Sequence, residues 1–185
     1  MSEISAATVS EWLKDYSAII SEHANELTDL DRQIGDADHG SNMARGMTAV
    51  AALDPEPFAS AAELLKKAGM TLVSTVGGAS GPLYGTFFLR LSTVIKTDGE
   101  PTAQLLADAL AAGLAGIVAR GKAEVGDKTL VDALSPAVDA AKQVAADDGS
   151  AAEALTKAAE AANEGRDATI AVSYTHLTLP TNREV

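Results

Sequence analysis

Val9, Trp12, Leu13, Tyr16, Ile19, Ile20, His23 and Leu27 recur at spacings of three and four, which lays one apolar stripe along a helix. Thr8 and Glu11 have the spacing of a capping box at its start. The period then disappears: from Asp29 to Ser41 the chain is dense in Asp and Gly and reads as a loop. Helical spacing returns from about Asn42 to Leu53 and stops at Asp54-Pro55-Glu56-Pro57, because proline disfavours helical geometry in the residue before it. Leu64, Leu65, Ala68, Leu72 and Val73 predict a third helix. Gly77-Gly78-Ala79-Ser80-Gly81 breaks that pattern, and Pro82 stands where a first helical turn makes no use of its missing N–H. Leu83 to Ile95 supplies the helix that follows.

Thr102 to Arg120 is a further Ala/Leu helix that ends on Gly121, a common residue just past a helix C-terminus. Another is predicted from about Thr129 to Ala146, with Pro136 as a kink. Ser150 and Glu153 make a second capping box for a helix through Ala162 that closes near Gly165. Seven helices, short linkers and no strand give an all-α fold, read as one antiparallel helical bundle or barrel. From Ser173 to Val185, SYTHLTLPTNREV abandons the alanine-rich pattern and holds no stripe long enough to pack. The chain is therefore divided into a domain at 1–172 and an irregular tail at 173–185, foreign or frame-shifted in character.

Composition narrows the choice. At 185 residues, with 46% hydrophobic and 22% charged residues, one folded domain is expected. Aromatics are only 4%, so the core is built from Ala, Leu, Val and Ile at short interhelical distances. A net charge of −12 excludes a non-specific nucleic-acid binder, which needs clustered Lys and Arg. An anionic ligand has to arrive with metal ions. The absence of cysteine removes disulfides, thiolate zinc sites and cysteine nucleophiles, and is compatible with a cytoplasmic setting. The N-terminus has no basic-then-apolar run, and no stretch reaches the roughly 20 apolar residues of a membrane span, so no membrane partner is expected.

The segment Leu30-Asp31-Arg32-Gln33-Ile34-Gly35-Asp36-Ala37-Asp38-His39-Gly40-Ser41-Asn42 concentrates three carboxylates in a glycine-punctuated loop. Their mutual repulsion is relieved if a hard divalent cation sits among them, since magnesium takes oxygen ligands and bridges carboxylates to substrate phosphates. The competing interpretation is a solvated turn with capping aspartates. A calcium loop is excluded by spacing: counted from Asp36, the sixth position is Ser41 and the twelfth is Met47. Gly77 to Pro82 leads into a helix, where exposed N–H groups form an anion site, or where the glycines merely permit a close turn. Gly121-Lys122-Ala123-Glu124-Val125-Gly126-Asp127-Lys128-Thr129 superficially resembles a Walker A loop, but Asp127 breaks the pattern and a helix precedes it where a strand is required. His23 lies on the apolar stripe and reads as a packed core histidine, His176 falls in the tail, and only His39 has a functional address.

LDRQIGDADHGSNMARG, VGGASGPLYGTFF and GDKTLVDALSPA, in this order, closely resemble the L-subunit family of dihydroxyacetone kinases from about Thr8 to Val172. That resemblance implies an eight-helix antiparallel barrel holding ADP or ATP at one end, with two magnesium ions on the aspartates matching Asp31, Asp36 and Asp38. It implies phosphate contacts from His39, Gly40, Ser41, Asn42, Gly78, Ala79 and Ser80, and a nucleotide pocket lined by Gly121 and Leu130. Leu130 replaces a frequent methionine and Ala37 a frequent glycine. The resemblance also implies the reaction: a phosphohistidine on an M subunit of the phosphotransferase system rephosphorylates bound ADP, and the L subunit passes the phosphoryl group to dihydroxyacetone on a K subunit. The homodimer is a further compatible partner. The alternatives are an ATP-dependent kinase module of the same family acting on another substrate, and a non-catalytic nucleotide-binding regulator. The family continues into an eighth helix and a lid carrying an arginine and Asp-Pro-Gly, which the tail does not match, so weaker nucleotide affinity and an incompletely closed barrel are expected.

Overall fold

The computed structural model describes residues 3–33, 35–96 and 98–171. The described residues form α1 (Ala6–Glu22), α2 (Ala24–Asp31), α3 (His39–Ala51), α4 (Ala61–Thr75), α5 (Ser80–Val94), α6 (Ala103–Gly121), α7 (Leu130–Ala146) and α8 (Ala151–Ala168), followed by a short 3-10 turn at Thr169–Ala171. The expected all-α architecture is present, with no strand among the described residues beyond an isolated bridge between Ile4 and Gly99. The division at residue 173 and the character of the tail lie outside the described residues.

Hydroxyl side chains start most of these helices, each filling a backbone N–H that the first turn leaves unpaired. Ser60 accepts from Glu63 N, Thr102 from Leu105 N, and Ser150 from Glu153 N. Thr129 and Asp132 form a reciprocal capping box on α7, and Ser5 and Thr8 form one on α1, three residues upstream of the pair expected from Thr8 and Glu11.

The apolar stripe expected to run unbroken from Val9 to Leu27 is two helices. His23 (φ −94°, ψ 7°) ends α1 and begins α2. Val9 and Leu13 are buried, but Ile19 is 55% exposed and His23 lies in solvent with Nδ1 2.8 Å from Glu26 Oε2. The expected core histidine is thus a surface residue at a helix joint. Spacing cannot register such a joint, because one off-helical residue barely disturbs the periodicity on either side.

Two apolar clusters form the interior. One gathers Leu13, Met43, Met47, Leu64, Leu65, Leu72, Phe88 and Leu91 from α1, α3, α4 and α5. The other is mostly alanine: Ala103, Ala107, Ala137, Ala141, Ala154 and Ala158 from α6, α7 and α8. Between them runs an apolar groove of about 580 Å³, lined in part by Trp12, Leu65, Leu91, Leu106, Leu110 and Leu155. Helix α6 is long and apolar enough to cross a membrane, more so than the sequence suggested, yet it packs against α5, α7 and α8, where small residues such as Ala107 and Gly113 allow close approach.

Candidate functional site

The joint at His23 lets α2 turn away from α1 and lie along α3. None of its residues is buried, so packing against α3 through a close backbone contact is what holds it. A Cβ at Gly40 would stand 1.9 Å from the Ala24 carbonyl oxygen and 2.5 Å from Thr28 Oγ1. Only hydrogen fits there. The consequence is that the last residue of α2, Asp31, is delivered to the first turn of α3.

Asp38 caps α3 by position but not by side chain. Its place is taken from across the loop by Asp31, whose Oδ2 accepts from Asp38 N at 2.9 Å and from His39 N at 3.2 Å. A carboxylate at a helix N-terminus satisfies orphan donors and meets the positive end of the helix dipole. The second oxygen, Oδ1, would lie 2.2 Å from a Cβ on Gly35, so the chain folds round it only with glycine there. Ala37 makes the tight turn with φ 62°, so a left-handed position in this glycine-punctuated loop falls on an alanine. Folded this way, the loop places a carboxylate oxygen from each of Asp31, Asp36 and Asp38 within 4.8 Å of the others, with Asp36 and Asp38 exposed and Asp31 half-buried. Three hard oxygen donors converging on one point, with a cradle that a Cβ would fill, suit a magnesium-type ion.

The glycine turn meets this loop. Gly78 adopts φ 64°, and α5 starts at Ser80 behind Ala79, which offers no side-chain cap. The first N–H groups of α5 therefore lack a side-chain acceptor of their own. Ser80 Oγ lies 3.0 Å from His39 Nδ1, joining the start of α5 to the start of α3. Ser41 turns its hydroxyl back to the Asp38 carbonyl at 2.9 Å. Asn42 is buried against Gly77, and its Oδ1 accepts from Arg45 Nη2 at 2.7 Å. Arg45 was not singled out in the sequence, although its i+3 spacing from Asn42 places both on one face of α3.

Gly121 reaches the glycine-turn helix from the side: a Cβ there would lie 3.2 Å from Leu83 Cδ2, one turn into α5. The left-handed residue after α6 is Lys122 (φ 57°), so Gly121 is the last helical residue and not the one beyond it. Leu130 is the first residue of α7 and is half-buried. It is positioned by Asp132, whose oxygens accept from Gly126 N at 2.6 Å and Thr129 N at 2.8 Å. The fold thus gathers Asp31, Asp36 and Asp38, links His39 to Ser80, and buries Asn42 against the glycine turn; Gly121 and Leu130 frame one flank without hydrogen bonds to that group among the described residues.

Comparison with known proteins adds to this geometry. A family model described as the DAK2 domain matches residues 33–176, more than half of the chain. The chain is 40% identical over 172 residues to the PEP-dependent dihydroxyacetone kinase ADP-binding subunit DhaL of Escherichia coli, covering 90% of this chain and 80% of that protein. It is 46% identical over 134 residues to the corresponding subunit of PEP-dependent dihydroxyacetone kinase 1 of Listeria innocua, covering 71% of this chain and 67% of that one. Its fold matches the crystal structure of the dihydroxyacetone kinase from C. freundii in complex with AMP-PNP and Mg2+, with TM-score 0.72 and 28% identity over 90% of this chain, but only 29% of that longer chain.

Proposed function

This chain belongs to the DAK2-domain family, as a protein of the L-subunit kind, and on that premise we propose that it is the nucleotide-holding subunit of a dihydroxyacetone kinase. The observation that carries the reading is the convergence of Asp31, Asp36 and Asp38, tied through His39 and Ser80 to the uncapped start of α5. Carboxylates that repel one another beside N–H groups that attract anions make sense together when a metal-bound diphosphate lies between them.

In this reading ADP or ATP binds with two magnesium ions held by Asp31, Asp36 and Asp38, and the ions supply charge neutralisation at the phosphates. Phosphoryl transfer depends on positioning and electrostatics more than on a protein nucleophile. Gly78, Ala79 and Ser80 offer backbone N–H groups where the α5 dipole is positive. His39, Ser41 and Asn42 bring polar side chains to the same place, Gly40 admits α2 close enough to position Asp31, and Gly121 and Leu130 line the flank where the rest of the nucleotide would lie. The domain is taken as 1–172, with 173–185 as a tail outside it.

The relative from Escherichia coli is a PEP-dependent subunit, and we extend its role here: a K subunit holds dihydroxyacetone, and a phosphohistidine-bearing M subunit recharges ADP in the cytoplasm. The chain spans most of the length of that separate subunit but less than a third of the C. freundii kinase. The test is reconstitution: purified chain, K and M subunits, PEP with the general phosphotransferase proteins, and dihydroxyacetone. Phosphorylated product that depends on this chain is expected, with Asp36→Asn reducing both the rate and magnesium-dependent ADP binding at least tenfold, as loss of a charged ligand implies. Unchanged ADP affinity in Asp36→Asn removes the metal assignment; ADP binding without transfer to dihydroxyacetone leaves a family kinase of other substrate or a nucleotide-binding regulator.

A further inference from the structure

Asn42 is one of the few polar side chains buried among the described residues, only 7% exposed. An amide in that setting can present either its oxygen or its nitrogen to a neighbour, and the two ends do opposite things to an anion. Its surroundings leave no choice. Arg45 Nη2 donates to Asn42 Oδ1 at 2.7 Å, and a guanidinium has donors only, so it can face nothing but the carbonyl end. The same guanidinium is anchored along its Nε–Nη2 edge, where Nε and that same Nη2 donate to the Thr75 carbonyl at 3.2 and 3.1 Å. Thr75 is the last residue of α4, so this carbonyl lies in the final turn, among the acceptors that a helix end leaves unpaired and at the negative end of its dipole. Arg45 is thus held by the element that leads into the glycine turn while it grips the amide that faces that turn.

The far end of the amide is aimed accordingly. A Cβ built on Gly77 would stand 3.3 Å from Asn42 Nδ2, closer than the 3.7 Å to Oδ1. The NH2 group, with two donors, is the part of the side chain nearest the glycine turn. We infer that Arg45 is a positioning residue of the nucleotide site: by occupying the Asn42 carbonyl oxygen and the Thr75 carbonyl together, it turns the Asn42 NH2 toward the glycine turn as a donor to a phosphate oxygen. Without it the amide can rotate and present its oxygen, which repels the same anion. This rests on the nucleotide-binding reading above.

The experiment is a double-mutant cycle on Mg·ADP binding by titration calorimetry with the wild-type chain, Arg45→Ala, Asn42→Ala and the double variant. Each single change is expected to weaken ADP by about tenfold, the order of one hydrogen bond to a charged group, and the double variant to bind no worse than Asn42→Ala. The NMR signals of the Asn42 side-chain amide should shift on adding Mg·ADP in the wild type and stay in place in Arg45→Ala, a signature that a mere helix tie would not produce. If Arg45→Ala fails to fold by circular dichroism, Arg45→Lys, which keeps donor-only chemistry but loses the bidentate reach to Thr75, takes its place in the cycle. Wild-type affinity in the Arg45 variant, or losses that multiply in the double variant, overturn the inference. A wild-type chain that does not bind Mg·ADP at all overturns the nucleotide reading itself, which keeps the two failures apart.

Discussion

Ser80 Oγ and His39 Nδ1 lie 3.0 Å apart across 41 residues of sequence, and this contact joins the first turn of α5 to the first turn of α3. The start of α5, which has no side-chain cap, is thereby held beside the start of α3, which Asp31 caps. The pair is half-buried, which makes it worth about 1 kcal/mol in stability. Ser80→Ala should lower the melting temperature by about 2–4 °C, the shift that 1 kcal/mol produces in a domain of this size. Its larger effect is expected on Mg·ADP, weakened by about tenfold. Calorimetry and thermal melts of the same samples separate the two; a melt that drops with ADP affinity intact would confine the contact to a structural role.

Gly40 carries the approach of α2 to α3. Alanine is the better helix former by about 1 kcal/mol, and at an open position the substitution would stabilise. Here the new methyl meets the Ala24 carbonyl 1.9 Å away, a backbone atom that cannot move without displacing α2. Overpacking of this kind costs about 1–3 kcal/mol, so a net loss is expected in Gly40→Ala. Because Asp31 ends α2, magnesium-dependent ADP binding should fall as well. A melting temperature at or above that of the wild type would refute the close packing.

Ala37 adopts φ 62°, a conformation that costs an L-residue about 1–2 kcal/mol. Glycine removes the strain but adds freedom to the unfolded chain, which returns part of the gain. Ala37→Gly should therefore raise stability by up to about 1 kcal/mol, measured by urea denaturation at unchanged m-value. A loss of stability would mean that this loop does not hold its left-handed turn.

Tyr16 and Tyr84 pack against the larger apolar cluster, and burial pushes the pKa of both phenols up, with the neighbouring Tyr84 adding to the effect at Tyr16. Below pH 10 both phenols are neutral in folded and unfolded chains, so they leave stability independent of pH. Above about pH 10 the unfolded phenol ionises while the buried one resists, so the unfolded state binds fewer protons and stability falls. Thermal melts from pH 8 to 11 should show this decline, and Tyr16→Phe should make it shallower. An identical profile in the variant would place the alkaline loss elsewhere.

The sequence by itself determined most of the helical stretches, where α6, α7 and α8 start, and which loop bears the carboxylates. Those features arise from interactions within one turn of chain: apolar spacing along α4 and α6, the hydroxyls of Thr102, Thr129 and Ser150, the prolines after Leu53. A contact between residues three or four apart leaves its mark in the order of residues. The tertiary structure alone decided that His23 breaks the first helix and faces solvent, that left-handed backbone falls on Ala37 and, beside Gly121, on Lys122, and that Gly40 serves the contact of two helices. It also decided that Arg45 reaches Thr75, thirty residues away, to orient Asn42. The reason is common to all of these: they depend on which surfaces of separate helices come into contact, and that is set by the packing of the whole bundle, where the energy of burying a stripe outweighs the local preference of any one residue in it.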